Sequence, residues 1–509
     1  MDSAAPGSSD KLTSMATGAG INFAGTFLRA LLGFGFSFMI SRVLTLSDLG
    51  LFTLGSTIVI VLYYFCVMGT DSGLWRYVSA YRAKGDIARA NGAIAGALYL
   101  ALPLSLVMTV ALLVAAGPVA TGIFKEPDFT GALRAFALTI PLLVAARIFN
   151  AATQGFQQMR YSAYREMSEQ GLRLLFTALL FIAGFRLGGA LAANLAAVLV
   201  ITVMSFMFLE RVAPSVMRRH NHVFELKTLM SFSIPMGASL ILTHMILWND
   251  TILLGYFGTS SDVGLYSVAI RLIVVAAIMQ TSFNTMFAPV ISDLHTRGLH
   301  EDLEEMFKRV TRWVVTLSLP IFLPLMLFGS NVLLIFGERF TVVYLSLAIL
   351  SLGQLVNVST GPVGGMICMS GRPRLETANS ILAWLLSVVL CILLIPRFGI
   401  VGAAIANASA TGLVNIVRSI EVKAIMNVHA YNKEYYKPLL AAAAGGGLSL
   451  AGMHAIGPAD GLLSLAVWFS VFAAVYASVI FMLGLERGDR EIAAAMISRI
   501  RRTKPAGAV

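Results

Sequence analysis

Long stretches without a single charge constrain this chain more than any other feature. Leu98–Ala116 and Val467–Gly484 each run without Asp, Glu, Lys or Arg. A helix crosses a bilayer with about 20 mostly apolar residues. Fourteen segments meet that requirement, near 18–40, 49–69, 91–116, 130–152, 169–185, 190–209, 232–254, 263–288, 313–335, 342–368, 377–395, 399–420, 438–456 and 461–484. Charged residues make up 12% of the chain, against roughly twice that in a soluble domain. That density cannot cover the several domains a soluble chain of 509 residues would form. A solvated globular protein, a soluble nucleic-acid binder and a disordered chain are excluded. The expected fold is all-α and integral to a membrane, with 14 transmembrane helices.

The formal charge of +11 is explained by where the cations fall. With the N-terminus placed in the cytoplasm, 26 of the 37 Lys and Arg residues lie in cytoplasmic segments. Five lie in outer loops (Arg42, Lys125, Arg186, Arg339, Arg397) and six within spans (Arg29, Arg134, Arg147, Arg173, Arg271, Arg418). This is the positive-inside pattern, and it predicts a multi-pass plasma (inner) membrane protein with both termini cytoplasmic. The charge therefore reflects orientation and contact with membrane lipids, and no nucleic-acid partner is expected. The first apolar stretch is long enough to span and reads as a helix, not a cleaved signal. Cys66, Cys368 and Cys391 have no metal-ligand spacing and read as packing residues. No metal site is expected.

The chain carries an internal repeat. Asp48-Leu49-Gly50-Leu51-Phe52 opens the second span, and Asp262-Val263-Gly264-Leu265-Tyr266 opens the eighth. Phe185–Ala197 and Phe398–Ala410 match at Phe185/Phe398, Gly189/Gly402, Ala190/Ala403, Ala193/Ala406, Asn194/Asn407 and Ala197/Ala410. A weaker match joins Gly155, Met159 and Glu166 to Gly365, Met369 and Glu376. The first two matches each join span n to span n+6, an even number of crossings, so the repeats are parallel and imply two six-helix lobes. The expected organisation is a cytoplasmic tail at 1–17, an N-lobe at 18–209 and a cytoplasmic linker at 210–231. A C-lobe at 232–420, two further helices within 438–484 and a basic cytoplasmic tail at 485–509 follow. The segment His300–Arg312 reads as an amphipathic surface helix leading into the ninth span.

Several stretches resemble the oligosaccharide flippases of polysaccharide biosynthesis (the Wzx type), within the multidrug, oligosaccharidyl-lipid and polysaccharide exporter superfamily. They are SRVLTLSDLGLFTLG (Ser41–Gly55), MGTDSGLWRYVSAYRAKGD (Met68–Asp86), SIPMGASL (Ser233–Leu240), NDTILLGYFGTSSDVGLYSVA (Asn249–Ala269) and FGIVGAAIANASA (Phe398–Ala410). The resemblance implies two lobes around a central cavity that opens alternately to each side, as in the MATE-like fold. It also implies a lipid-pyrophosphate-linked oligosaccharide as substrate, and polysaccharide synthesis such as O-antigen or exopolysaccharide as the setting. A polysaccharide polymerase machinery is the corresponding partner.

Arg29 lies mid-span, about 16 Å from either end of 18–40 by helical rise. An intramembrane cation at that depth faces a cavity or a partner, so Arg29 either meets the pyrophosphate or forms a structural pair. Arg271 is its counterpart in the second lobe, as a second cation of an inter-lobe site or as a partner of Asp262 or Asp250. Asn22 lies two turns before Arg29 on the same face and joins the substrate-binding candidates. Arg134 is the outlying member; Arg147, Arg173 and Arg418 read as snorkelling helix-end cations. Asp250, His244 and Asn249 offer a site for a coupling proton or sodium ion; no other cofactor is expected. Asp71 with Arg76 offers a cytoplasmic gate, and Pro235 with Gly237 a hinge in the seventh span. Asn194 and Asn407 read as packing residues.

The expected function is thus a flippase and not an enzyme. The alternatives are a drug or metabolite exporter of the same superfamily, or a membrane glycosyltransferase, polymerase or ligase using the same lipid carrier. A cationic drug calls for acidic residues in the cavity, and 18–40 carries only Arg29. The enzymes call for acidic or His clusters beside a large outer loop, and the longest outer loop here is about Gly117–Phe129.

Overall fold

In the computed structural model, residues 28–214, 222–456 and 461–484 are described. Asn22, the 1–17 and 485–509 tails and part of the 210–231 linker lie outside them. The described residues form helices and no strand. Nine of the described helices are long and apolar enough to cross a membrane, and one of these, Pro373–Met426, contains two of the segments marked above.

Helix α1 occupies residues 28–43 and is followed by α2 (Leu46–Val67). Met68 in the left-handed region and Gly69 (φ 73°) then break the chain before α3 (Thr70–Ala83). Next come α4 (Ile87–Pro118), extended by a π-helical turn at Val119–Ile123, then α5 (Phe129–Ala137) and α6 (Thr139–Gly155). Helices α7 (Met159–Ile182) and α8 (Leu187–Val212) complete the first half. The second half runs through α9 (Leu226–Phe257), α10 (Ser260–Ala276) and α11 (Ile278–Thr296) to α12 (His300–Leu327) and α13 (Gly329–Leu334). It continues with α14 (Tyr344–Ser359), α15 (Val363–Met369) and α16 (Pro373–Met426). The long α16 turns at Gly399 (φ 53°, ψ −129°), a conformation suited to glycine, so it comprises two helices. A terminal pair, α17 (Tyr436–Ile456) and α18 (Leu462–Leu483), packs together and against α12.

Two expected boundaries change. Helix α7 begins ten residues before the apolar segment at 169–185, because its first turns carry charge yet remain helical. The amphipathic stretch at 300–312 is no separate surface helix. It is the start of a continuous α12, with Leu303, Phe307 and Val310 buried.

The halves meet along two seams, both built on glycine. At one, α2 crosses α10. A Cβ on Gly50 would overlap the Ser260 carbonyl, and one on Gly264 would overlap the Leu46 carbonyl. These are the paired glycines of the repeated motif, and each helix also starts the same way. The Thr45 hydroxyl accepts from the Asp48 N–H (3.1 Å), and the Thr259 hydroxyl accepts from the Asp262 N–H (3.2 Å). Each threonine thus satisfies an otherwise orphaned helix N–H, and the glycine two residues after the aspartate admits the other backbone. The Ser47 and Ser260 hydroxyls, 2.8 Å apart, join across this seam. At the second seam α9 packs against α2 and α3: a Cβ on Gly237 would meet the Met68–Gly69 peptide, and one on Gly69 would meet the Ser233 carbonyl.

The second repeated stretch is a helix–helix turn. Gly189 packs on Leu180 at the end of α7, and Gly402 on Leu394 at the corresponding bend of α16.

Candidate functional site

Helix α7 carries a stripe of polar residues along one face: Ser162, Arg165, Glu166, Glu169, Gln170, Arg173 and Thr177. Spacings of three and four place all of them on one face. Glu169 bridges two guanidiniums, with Arg165 Nη1 to Oε2 at 3.2 Å and Arg173 Nη2 to Oε1 at 2.9 Å. Both arginines keep a buried Nε without a hydrogen-bond partner. Glu166 reaches across to α1, where Arg29 Nη1 donates to its Oε2 at 2.9 Å. Gln170 faces Gly33 of α1.

A second pair lies beside this stripe. Arg147 of α6 donates through Nε (2.8 Å) and Nη2 (2.7 Å) to the Oδ2 of Asp71 on α3. Asp71 is buried and its Oδ1 has no partner. Arg147, Asp71 and Arg165 all lie within electrostatic reach of the Tyr63 phenol on α2. Arg147 and Asp71 also reach His244 on α9, whose ring lies 3.8 Å from that of Tyr64. The first half thus gathers Arg29, Arg147, Arg165 and Arg173 against Asp71, Glu166 and Glu169, an excess of one positive charge. A net-cationic group in which Arg165 and Arg173 each keep a buried, unpaired Nε–H suits a phosphate or pyrophosphate group.

This arrangement revises several expectations. Arg29 pairs with Glu166, on the helix that also carries Arg165 and Arg173. Arg271 makes no ion pair among the described residues, and its Nη1 is buried without a partner. The acids considered for it are engaged elsewhere, Asp262 in the cap of α10 and Asp250 in a separate cluster. Arg134 is exposed near the end of α5, apart from the others. Asp71 is joined to Arg147, not to Arg76, whose guanidinium stacks 4.5 Å over Phe232. Arg147, Arg173 and Arg418, read as helix-end cations, each hold a carboxylate, Arg418 that of Glu376 at 2.5 Å. Helix α9 continues through Pro235, while Gly237 is the contact point of the second seam.

Asp250 anchors the second cluster. It is fully buried and accepts from the Tyr266 hydroxyl (2.8 Å), the Asn407 amide (2.9 Å) and the Thr251 N–H (2.7 Å). Asn249 and the Ser387 hydroxyl lie 3.1 Å apart beside it. Asn407 is therefore a ligand of a buried carboxylate and not a plain packing residue. His244 does not join this group; it sits with Tyr64, its Nδ1 2.9 Å from the Leu240 carbonyl. Among the described residues no group of three or more His, Cys, Asp or Glu side chains is placed to hold a metal ion.

The architecture is that of a polytopic helical membrane protein, and comparison with known proteins supports the assignment. Residues 15–295, more than half of the chain, match the polysaccharide biosynthesis protein family, and the chain belongs to it. It is 25% identical over 162 residues to the probable low-salt glycan biosynthesis flippase Agl15 of Haloferax volcanii. That match covers 32% of this chain and about a third (34%) of the relative. Its fold is similar to that of the lipid II flippase MurJ in an inward closed conformation, with a TM-score of 0.72 at 12% identity, covering 90% of this chain and 98% of that one. A multidrug resistance MATE family transporter in an inward-facing conformation is similar at a TM-score of 0.62 and 14% identity, over 78% of this chain and 98% of that one.

The α7 stripe escapes a hydropathy reading because Arg160, Arg165 and Glu166 push the apolar window to 169. The signal that exposes it is the spacing of 162, 165, 166, 169, 170, 173 and 177 on one helical face. Glu166 does enter the sequence reading, through its repeat partner Glu376.

Proposed function

We propose that this protein flips a polyprenyl-pyrophosphate-linked oligosaccharide across the plasma membrane by alternating access, for cell-surface polysaccharide synthesis. The observation that carries the reading is the net-cationic cluster of Arg29, Arg147, Arg165 and Arg173, with buried Nε donors left free on Arg165 and Arg173. The lipid II named for MurJ and the glycan biosynthesis named for Agl15 support this reading. In this reading the chain makes fourteen crossings, with six-helix lobes at 18–209 and 232–420 and both termini cytoplasmic. The pyrophosphate docks on the α7 stripe, the glycan occupies the hydrated space between the lobes, and the lipid tail stays in the bilayer. The two glycine seams part in alternation.

Asp250 supplies the coupling site in the same reading. A buried carboxylate with no cationic partner is costly unless it holds a proton or a cation. Tyr266, Asn407 and Thr251 come from two other helical segments and its own, so loading or release at Asp250 changes how α9, α10 and α16 fit together. A drug exporter is less well served, since an organic cation meets an excess of guanidiniums at the site.

The test is binding of a lipid-pyrophosphate oligosaccharide to the purified protein in nanodiscs. A charge-assisted hydrogen bond contributes about 1.5–3 kcal/mol, so Arg165→Gln with Arg173→Gln is expected to weaken binding by tenfold or more. Unchanged affinity in that variant overturns the assignment of the site.

A further inference from the structure

The end of α1 and the segment after α13 belong to opposite halves of the chain, and they grip one another reciprocally. Arg42 donates through Nε (2.9 Å) and Nη2 (2.5 Å) to the Ile335 carbonyl just after α13. Arg339 returns the contact, its Nη2 donating to the Ser41 (2.5 Å) and Leu44 (2.6 Å) carbonyls at the end of α1. Each guanidinium thus sits at the negative pole of the other half's helix terminus, where a cation is stabilised. Between them the buried Phe336 ring stands edge-on to Phe34 (5.6 Å) and Phe38 (5.9 Å) of α1. Arg42 also covers Phe38 at 5.6 Å, and Arg339 covers Phe340 at 5.1 Å. Gly337, at φ 137°, makes the turn that presents Phe336 and Arg339 on the same side.

We propose that Arg42 and Arg339 form a latch that holds the α2–α10 seam shut and must release before the protein opens on that side. The chemistry suits a reversible device. Among the described residues neither guanidinium has a carboxylate partner, and both side chains are exposed. Water can therefore replace each carbonyl as the helix ends separate. A buried ion pair in the same place would weld the seam, and apolar packing alone would leave it without a directional lock. The Ser47–Ser260 contact and the Gly50 and Gly264 crossing lie along the same α2–α10 interface. The seam between α9 and α2–α3 is held by different chemistry: beside the Gly69 and Gly237 crossing, Glu225 at the start of α9 takes the Tyr81 hydroxyl (2.7 Å) and the Arg89 guanidinium (2.8 Å), and Arg76 stacks on Phe232 (4.5 Å). The reciprocal guanidinium–carbonyl grip of Arg42 and Arg339 is found at the α2–α10 side.

The inference rests on the alternating-access reading, and its test keeps the two separable. Ser47→Cys is placed in a full-length chain from which Cys66, Cys368 and Cys391 have been removed, and its rate of maleimide labelling is measured in nanodiscs. Ser233→Cys reports the other seam. Arg42→Ala and Arg339→Ala are each expected to raise labelling at residue 47 several-fold, and together more, while labelling at residue 233 stays level or falls. An unchanged rate at residue 47 in the double variant overturns the latch, and so does a parallel rise at both seams. If the alanine variants do not assemble, Arg42→Met with Arg339→Met is read by the same criteria, since it keeps the apolar stems and removes the donors. A wild-type chain that labels this way but translocates no lipid-linked glycan leaves the latch standing and removes the flippase.

Discussion

Asp71 and Arg147 illustrate how a charge inside an apolar fold takes its meaning from its partner. Asp71 is buried, whereas Arg147 keeps about a third of its side chain exposed (5% against 34%). The two halves of the pair are therefore unequal. Removing the carboxylate leaves a guanidinium that water can still reach; removing the guanidinium strands a buried carboxylate. Arg147→Met is expected to destabilise the protein by about 2–4 kcal/mol, after allowance for its partial exposure. Asp71→Asn is expected to cost less, and the double variant less than Arg147→Met alone. Thermal unfolding in detergent, run as a double-mutant cycle, measures this. Equal costs for the two single changes, or strict additivity, would show that the pair is not the unit described here. The partners of these charges are not readable along the chain, because Asp71 and Arg147 lie 76 residues apart and Arg29 and Glu166 lie 137 apart. That a charge buried in an apolar run needs a partner is readable; which partner it finds is decided by how α1, α3, α6 and α7 pack.

At the level of elements, the repeated motif with Asp48 and Gly50, and with Asp262 and Gly264, is the most legible feature of the sequence. Its residues act locally: the threonine before it caps a helix, and the glycine admits a crossing backbone. The shared function of the two copies, packing against each other, emerges only in the fold. Gly50→Leu forces a side chain into the Ser260 carbonyl. Overpacking of this kind costs about 1–3 kcal/mol, and it is expected to part the α2–α10 seam, with faster labelling at a cysteine in place of Ser47. Gly131→Leu, in an open position of α5, serves as the control. Equal labelling in the two variants would contradict the role given to the crossing. Helix α7 is the opposite case. Its charged first turns make it look short in a hydropathy profile, yet Arg165 pairs with Glu169 and Glu166 with Arg29 of α1, so the helix runs through them.

For the whole molecule, the family assignment and the helical membrane fold agree with the transport proposed above, and in that reading the charges divide the labour. The first half gathers guanidiniums around the α7 stripe, and the second half buries Asp250 among neutral donors. In this account one grips the substrate's phosphates and the other senses a coupling ion. Reconstitution into liposomes tests that claim most directly, by following translocation of a lipid-pyrophosphate oligosaccharide under imposed proton and sodium gradients. The account predicts transfer above protein-free vesicles that is abolished by Arg165→Gln with Arg173→Gln. It also predicts that Asp250→Asn, which keeps the shape and most of the hydrogen bonds, loses the response to the gradient. Wild-type transfer no faster than in protein-free vesicles under either gradient would contradict it.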